Sequence, residues 1–339
     1  MTPEALAELR HDLRTPLNHV IGYTEMLLED AADEALAGRR EPLQQTLAAA
    51  RQALELINAT LGTARAAGAA DVARLHDDLR EPRDRIVRAI SALLSVSDER
   101  DAAFSDDLRK ILTAAERLVP TPGPAVPVPG QAAAAPAAPL AVSEAGPPRA
   151  RILVVDDGAE NRDVLQRRLE RSGYAVETAE HGRRALELLG QRPFDLVLLD
   201  VLMPELDGFA VLEAIKGNPA LRDIPVIMIS ALDEMPSIVR CIERGAEDFL
   251  HKPFDPVLLR ARINASLEKK QLRDQEVEYL REVGRVIDAA TAVEAGSYRP
   301  GALASVARRA DELGRLARVF DSMVLQMKAR EERLRDQVR

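Results

Sequence analysis

The chain has 339 residues, of which 46% are apolar and only 3% aromatic, and its formal net charge is −9. This length predicts two or three domains, and the interspersed charges provide no basic stripe for binding nucleic acid. The single Cys241 excludes an internal disulfide and a multi-cysteine metal site. The acidic first residues contain no apolar signal segment, and no apolar run is long enough to span a bilayer. We therefore expect a cytoplasmic protein without a membrane span.

Residues 1–119 are predicted to be helical, because apolar residues recur at three- and four-residue spacing along one stripe. An internal repeat divides this part into two helical hairpins, 1–66 and 70–119: the sequence RHDLRTP at 10–16 is echoed by HDDLREP at 76–82. One hairpin cannot bury its apolar stripe alone, so the tandem hairpins predict a four-helix bundle. Whether the bundle closes within one chain or by dimerisation stays open at this point.

The first hairpin carries the octet His11-Asp12-Leu13-Arg14-Thr15-Pro16-Leu17-Asn18. This octet resembles the phospho-accepting helix of two-component histidine kinases, and the resemblance implies that His11 accepts a phosphoryl group. The imidazole is available in its neutral form near pH 7. Asp12 could orient the ring or take its second proton, and the resemblance implies that Thr15, one turn further on, helps to place water for dephosphorylating a partner.

The second hairpin departs from this pattern, because Asp77 occupies the position of His11 and His76 lies one residue away. A shift of one residue rotates a side chain by about 100° around a helix, so we do not expect His76 to be phosphorylated. Residues 120–149 then form a linker rich in Pro and Ala. Such a composition predicts a semi-rigid, extended spacer.

Residues 150–270 alternate between short apolar runs and amphipathic helical segments. The runs at 152–155, 196–199 and 226–229 are apolar throughout, which indicates parallel strands that are buried on both faces. Weaker strands are predicted near 174–177 and 248–250. The pattern predicts a five-stranded, parallel, doubly wound sheet, so the fold class of the whole chain is a multi-domain combination of α and α/β parts.

Polar residues follow the predicted strands. Asp156 and Asp157 come after the first strand, Asp200 after the third, Ser230 after the fourth and Lys252 after the fifth. Ligands of open α/β sheets bind at the carboxyl ends of the strands, so these side chains are expected to form one site. The set, together with the sequence DVLMPELDG at 200–208, resembles the receiver domain of response regulators.

The resemblance implies a phosphorylation site. Asp200 would be the nucleophile that forms an acyl phosphate. The three carboxylates of Asp156, Asp157 and Asp200 repel each other unless a hard cation neutralises them, which predicts a Mg²⁺ site. Lys252 would offset the remaining charge, and Ser230 would offer its hydroxyl group to a phosphoryl oxygen.

Residues 271–339 are predicted to be helical, with a Gly/Pro-rich connector near 296–301. Apolar residues recur every seven positions at Leu313, Phe320, Met327 and Leu334, which predicts a coiled coil and, through it, a homodimer. The connector and the tetrapeptide Asp311-Glu312-Leu313-Gly314 resemble HAMP signalling modules.

These features together predict a phosphorelay protein in which Asp200 is phosphorylated and exchanges phosphate with His11, with output through the coiled coil. The expected partners are a histidine kinase or a phosphotransfer protein, and no nucleic acid. No Gly-rich ATP-binding segment is visible, so we expect phosphotransfer and not ATP-dependent kinase activity.

Two alternatives stay open: a non-catalytic docking scaffold for a partner kinase, and a part of a hybrid histidine kinase or of a cyclase or phosphatase regulator. The upstream kinase, the stimulus, the direction of phosphate flow and the output partner are not determined by the sequence.

Overall fold

The computed structural model of the chain describes residues 3–30, 37–61, 68–97, 101–118, 149–230 and 235–337. They form two compact units, Met1–Leu267 and Glu268–Arg339. The predicted linker at 120–149 lies outside the described residues, except for its last residue. Within the described ranges, no helix is both long and apolar enough to cross a membrane.

Four helices form the N-terminal part: α1 (Pro3–Asp30), α2 (Ala37–Leu61), α3 (Ala69–Val96) and α4 (Ala102–Glu116). Helix α1 packs against α2 and α4, and α3 packs against the same two helices. The four helices share one apolar core, so the predicted four-helix bundle is confirmed and is built by a single chain.

The internal repeat has a structural meaning, because its matching positions are core residues of both hairpins. The equivalent positions of the two repeats that are both buried are Leu13 and Leu79, Val20 and Ile86, Leu27 and Leu93, Leu43 and Leu108, and Ala50 and Ala115. Each fully buried leucine or isoleucine contributes about 1.5–3 kcal/mol relative to an exposed one. The repeat therefore supplies two equivalent apolar stripes that bury one another.

The second part of this unit is a five-stranded parallel sheet with the strand order β2-β1-β3-β4-β5. The strands are β1 (Arg151–Val155), β2 (Ala175–Ala179), β3 (Leu196–Asp200), β4 (Val226–Ser230) and β5 (Asp248–His251). The helices that follow them are α5 (Ala159–Arg171), α6 (Gly182–Gln191), α7 (Gly208–Gly217), α8 (Met235–Glu243) and α9 (Pro256–Glu294). The predicted doubly wound sheet is confirmed.

Both faces of the sheet are covered, as its continuous apolar strands predicted. Along β1, Leu153 and Val155 enter one apolar cluster, whereas Ile152 and Val154 enter another. Successive side chains of a strand point to opposite faces, so each of these clusters packs between the sheet and one layer of helices. This two-sided burial fixes the strand register and brings all five carboxyl ends to one edge.

The C-terminal unit has its own apolar core. The end of α9, the short helix α10 (Ala304–Ala307) and helix α11 (Glu312–Gln337) contribute to it. Leu313 is buried and Phe320 packs against this core, whereas Met327 and Leu334 are exposed. The helices are confirmed, but pairing with a second copy through the exposed seven-residue positions remains a prediction.

Candidate functional site

The carboxyl edge of the sheet collects the residues that the sequence placed after strands. Asp156 follows β1, Asp200 ends β3, Ser230 ends β4 and Lys252 follows β5. The backbone N–H of Lys252 donates to the carbonyl oxygen of Ser230 at 2.8 Å, which ties the ends of β4 and β5 together. The parallel register therefore brings these side chains to one place.

A buried lysine lies between two buried carboxylates. The Nζ atom of Lys252 is 2.6 Å from Oδ2 of Asp156 and 2.5 Å from Oδ2 of Asp200. Carboxylate oxygens of Asp156, Asp157 and Asp200 lie within 4.8 Å of one another, and Asp157 is exposed to solvent. Three carboxylates and one ammonium group leave a formal charge of about −2 at this edge. The all-oxygen donor set and this excess charge fit Mg²⁺.

Burial controls the protonation of this pair. Burial of the carboxyl group and the neighbouring charge of Asp156 raise the pKa of Asp200 to about 7. The positive charge of Lys252 only partly counteracts these two effects. Burial by itself would lower the pKa of Lys252, but Asp200 and Asp156 outweigh it, so the pKa of Lys252 is raised. The lysine therefore stays charged, whereas Asp200 takes up a proton easily when no cation is bound.

We expect Mg²⁺ affinity to depend on pH because of Asp200. Below about pH 7 the Asp200 carboxyl group must lose a proton before it can act as a ligand, so the affinity should fall by about tenfold per pH unit. Above that pH the affinity should level off. Titration with Mg²⁺ over a series of pH values measures this, and Asp200→Asn should bind more weakly with a flatter profile. A constant wild-type affinity below pH 7 would contradict the expectation.

Residues that the sequence pattern did not identify hold Asp156 in place. Oδ1 of Asp156 accepts hydrogen bonds from the backbone N–H of Gly158 at 2.9 Å and from Nδ2 of Asn161 at 3.0 Å. Arg162 donates to the carbonyl oxygens of Asp156 and Asp157, at 2.7 and 2.9 Å. These contacts leave Oδ2 of Asp156 directed at Lys252. The only signal in the sequence was the position of Asn161 and Arg162 at the start of the helix after β1.

Gly208 allows the chain to pass very close to Asp200. A Cβ atom at Gly208 would lie 2.2 Å from the carbonyl oxygen of Asp200, which is a backbone atom that cannot rotate away. We therefore expect Gly208→Ala to lower the free energy of unfolding by about 1–3 kcal/mol, as overpacking does. Gly190→Ala is the control, because a Cβ there meets no atom within 4 Å and alanine favours the helix. Urea titration of both variants measures the difference, and equal stabilities would contradict the close approach.

Of the three residues predicted for the histidine site, Asp12 is exposed and Thr15 is half-buried on α1. His11 belongs to the same helix, and its side chain lies outside the described part. A different histidine of α1, His19, is buried: it is 5% exposed, and its Nε2 atom has no hydrogen-bond partner among the described residues. Burial lowers the pKa of His19, and Glu160 and Asp156 partly oppose this effect.

The carboxyl edge of the sheet that carries Asp156, Asp157, Asp200 and Lys252 is called the acidic edge below, and His19 lies beside it because α1 packs on α5. A cavity of about 40 Å³ is lined by His19 and Gly22 of α1 and by Asn161, Lys252 and Phe254 of the α/β part. Val164 of α5 is 7% exposed and belongs to the apolar core of the bundle. The two parts therefore share a core next to Lys252.

Charged and polar contacts surround this shared core. Asp163 of α5 accepts a hydrogen bond from the Tyr23 hydroxyl group at 2.8 Å and another from Nζ of Lys110 at 3.1 Å. One Nη atom of Arg167 is 2.9 and 3.0 Å from the two carboxylate oxygens of Asp107 on α4. Acidic and basic groups thus alternate on both surfaces, and this complementarity sets the register of docking.

Comparison with known proteins gives matches to both parts. Residues 152–264 match the response regulator receiver domain, and residues 4–69 match the His Kinase A (phospho-acceptor) domain.

The response regulator PleD of Caulobacter vibrioides is 40% identical over 172 residues, which are 51% of this chain and 35% of PleD. The two-component response regulator ORR3 of Oryza sativa subsp. indica is 42% identical over 110 residues, 32% of this chain and 84% of ORR3. The probable transcriptional regulator ycf27 of Cyanidium caldarium is 41% identical over 127 residues, 38% of this chain and 50% of ycf27. The chain thus spans well under two thirds of PleD and of ycf27.

Proposed function

Because this chain belongs to the response regulator family and also carries a phospho-acceptor domain, we propose that it is a phosphorelay protein. Its receiver is phosphorylated on Asp200 and exchanges the phosphoryl group with His11 of its own bundle. The observation that supports this most directly is the packing of α1 on α5, because the helix that carries His11 also contributes to the cavity beside Lys252.

The chemistry of the first step follows from the acidic edge. A carboxylate oxygen of Asp200 attacks phosphorus, the bond to the donor's leaving group breaks, and an acyl phosphate forms. Lys252 already contacts Asp200 and stays charged, so it is placed to offset charge on the phosphoryl oxygens. Mg²⁺ held by Asp156, Asp157 and Asp200 would neutralise the same oxygens. Ser230, at the neighbouring strand end, is the hydroxyl donor to a phosphoryl oxygen.

In the second step a neutral imidazole nitrogen of His11 attacks the same phosphorus atom. The bond between phosphorus and the Asp200 oxygen breaks, a bond between nitrogen and phosphorus forms, and Asp200 returns to its carboxylate form. Asp12 orients the imidazole ring in this transfer, and Thr15, on the same face of α1, would position water for the separate hydrolysis of the acyl phosphate. The reverse transfer uses the same groups, so the exchange can run in either direction.

The phosphoryl group is supplied or taken up by a partner histidine kinase or phosphotransfer protein in the cytoplasm. Helix α9 begins after β5 and continues to Glu294, so it is the covalent route from the receiver to the C-terminal helices. Output then passes through a homodimeric, HAMP-like coiled coil. The exposed apolar residues Leu316, Met323, Met327 and Leu334 of α11 are available for that pairing.

The exchange is tested by labelling the full chain with radioactive acetyl phosphate and separating two kinds of label. An acyl phosphate is lost in alkali, whereas a phosphohistidine survives alkali and is lost in acid. We expect the wild-type chain to carry both. His11→Gln should remove the alkali-stable label and keep the alkali-labile label on Asp200, because it removes the acceptor and leaves the receiver intact.

His76→Gln is the matched control and should behave like the wild type, and His19→Gln tests whether the buried histidine is the acceptor. Alkali-stable label that persists in His11→Gln would contradict the assignment of His11. A wild-type chain labelled only on Asp200 would favour the docking-scaffold alternative. Label acquired from ATP alone would contradict the expectation that this chain needs an external phosphodonor.

A further inference from the structure

A second cavity lies away from the acidic edge, where the end of α1 meets the C-terminal end of α5 and the start of α9. Its volume is about 300 Å³, which is in the range of small-molecule sites in proteins. Arg168 also lines the smaller cavity beside His19, but no lining residue of the second cavity is one of the phosphorylation-site residues Asp156, Asp157, Asp200, Ser230 and Lys252, so the chemistry of the proposed relay gives this cavity no role.

The charged residues of this cavity are predominantly basic. Arg168, Arg171 and Arg260 line it, and Glu29 is the one acidic residue among the described lining residues. Glu25 does not line the cavity but forms an ion pair with Arg168, so three positive and two negative charges leave a formal excess of about +1, which attracts anions into a concave site. The remaining wall includes the apolar side chains of Leu169, Val257 and Leu259.

Arg168 is a lining residue whose guanidinium group is ion-paired with Glu25 and Glu29 but is incompletely hydrogen-bonded. It is 7% exposed, and its Nε and one Nη atom have no hydrogen-bond partner among the described residues. The carboxylate oxygens of Glu29 and Glu25 lie 3.5 and 3.6 Å from that Nη atom, beyond the usual hydrogen-bond length of about 2.7–3.2 Å. Buried N–H groups without a short hydrogen bond are costly, and the planar guanidinium group matches the geometry of a phosphate or a carboxylate.

We propose that this cavity binds a small organic anion. Its phosphoryl or carboxylate head hydrogen-bonds to Arg168 and pairs with Arg260, and its apolar body packs on the wall that contains Leu169 and Leu259. The cavity has both the charge and the apolar surface that such an amphipathic ligand requires, and it is large enough for more than a bare ion.

The test is calorimetric binding of three probes to the full chain: phenyl phosphate, benzoate and phenol. EDTA is present, because without a cation the acidic edge repels anions. We expect saturable binding of at least one anionic probe in the millimolar range or tighter, and none of neutral phenol. Tighter binding of phenyl phosphate assigns a phosphoryl head, and tighter binding of benzoate assigns a carboxylate head; both results support the site.

Arg260→Glu places a negative charge on an exposed position of the cavity wall without touching the contacts of Arg168. We expect it to raise the dissociation constant by about tenfold or more, because a favourable charge becomes a repulsive one. Arg168→Lys keeps the positive charge but loses the planar, bidentate guanidinium group, and should also weaken binding of the anion. The control is Arg183→Glu, which makes the same charge change at an exposed site outside the cavity.

Two results would overturn the proposal. One is the absence of saturable binding of either anion in the millimolar range. The other is an equal loss of binding in Arg260→Glu and Arg183→Glu, which would mean that the anions respond only to overall charge. Both outcomes leave the relay untouched, since labelling of Asp200 and His11 is measured separately.

Discussion

Asp200→Asn is expected to abolish labelling of this chain by acetyl phosphate. The amide oxygen of asparagine is a poor nucleophile, so no acyl phosphate can form at this position. The variant should still fold, because asparagine has nearly the same shape and its neutrality removes repulsion between Asp200 and Asp156. The measurement is the incorporation of label into wild-type and variant chains at equal concentration.

Asp207→Asn is the matched control, because it makes the same chemical change in the loop that follows Asp200. The Asp207 side chain caps α7 by accepting a hydrogen bond from the backbone N–H of Ala210 at 2.8 Å. Asparagine caps helices about as well as aspartate, so labelling should be unchanged. Full labelling of Asp200→Asn, or an equal loss in both variants, would show that Asp200 is not the acceptor.

Charge reversal at Arg167 is expected to separate the receiver from the bundle. Arg167→Asp places a carboxylate against Asp107, which is buried and loses its charged hydrogen bonds. Charged hydrogen bonds of this kind are worth about 2 kcal/mol, so the docking equilibrium should shift by roughly 30-fold. Two readouts measure the change: a larger radius of gyration in solution scattering, and slower transfer from Asp200 to the bundle.

Combining Arg167→Asp with Asp107→Arg restores a pair of opposite charges. It should bring the radius of gyration and the transfer rate part of the way back to the wild-type values. The recovery is only partial because Arg167 also contacts Asp163, and Asp107 lies 3.7 Å from Lys110. Arg184→Glu, on α6, is a control that reverses charge at another partly exposed ion pair. Unchanged scattering and transfer in Arg167→Asp would show that docking does not depend on this contact and that α1 does not need it to reach the receiver.

The sequence was most informative where a property is local or follows from strand polarity. Continuous apolar runs identified the three central strands, and parallel pairing then required Asp156, Asp200, Ser230 and Lys252 to meet at one edge. The repeat identified both stripes of the bundle core. The supports of Asp156 were missed, because Asn161 and Arg162 act through hydrogen bonds that no periodic pattern encodes.

The sequence by itself determined the helical and α/β parts, the parallel sheet and the chemistry of the acidic edge. These properties depend on side-chain periodicity over a few residues and on the fixed direction of parallel strands. Only the tertiary structure decided that α1 packs on α5, that His19 is buried beside Lys252 and that Arg168 lines a basic cavity. The contact between Tyr23 and Asp163, for example, joins residues 140 positions apart. Such contacts depend on the fit and charge complementarity of two surfaces that are already folded, which hydrophobic patterning does not specify.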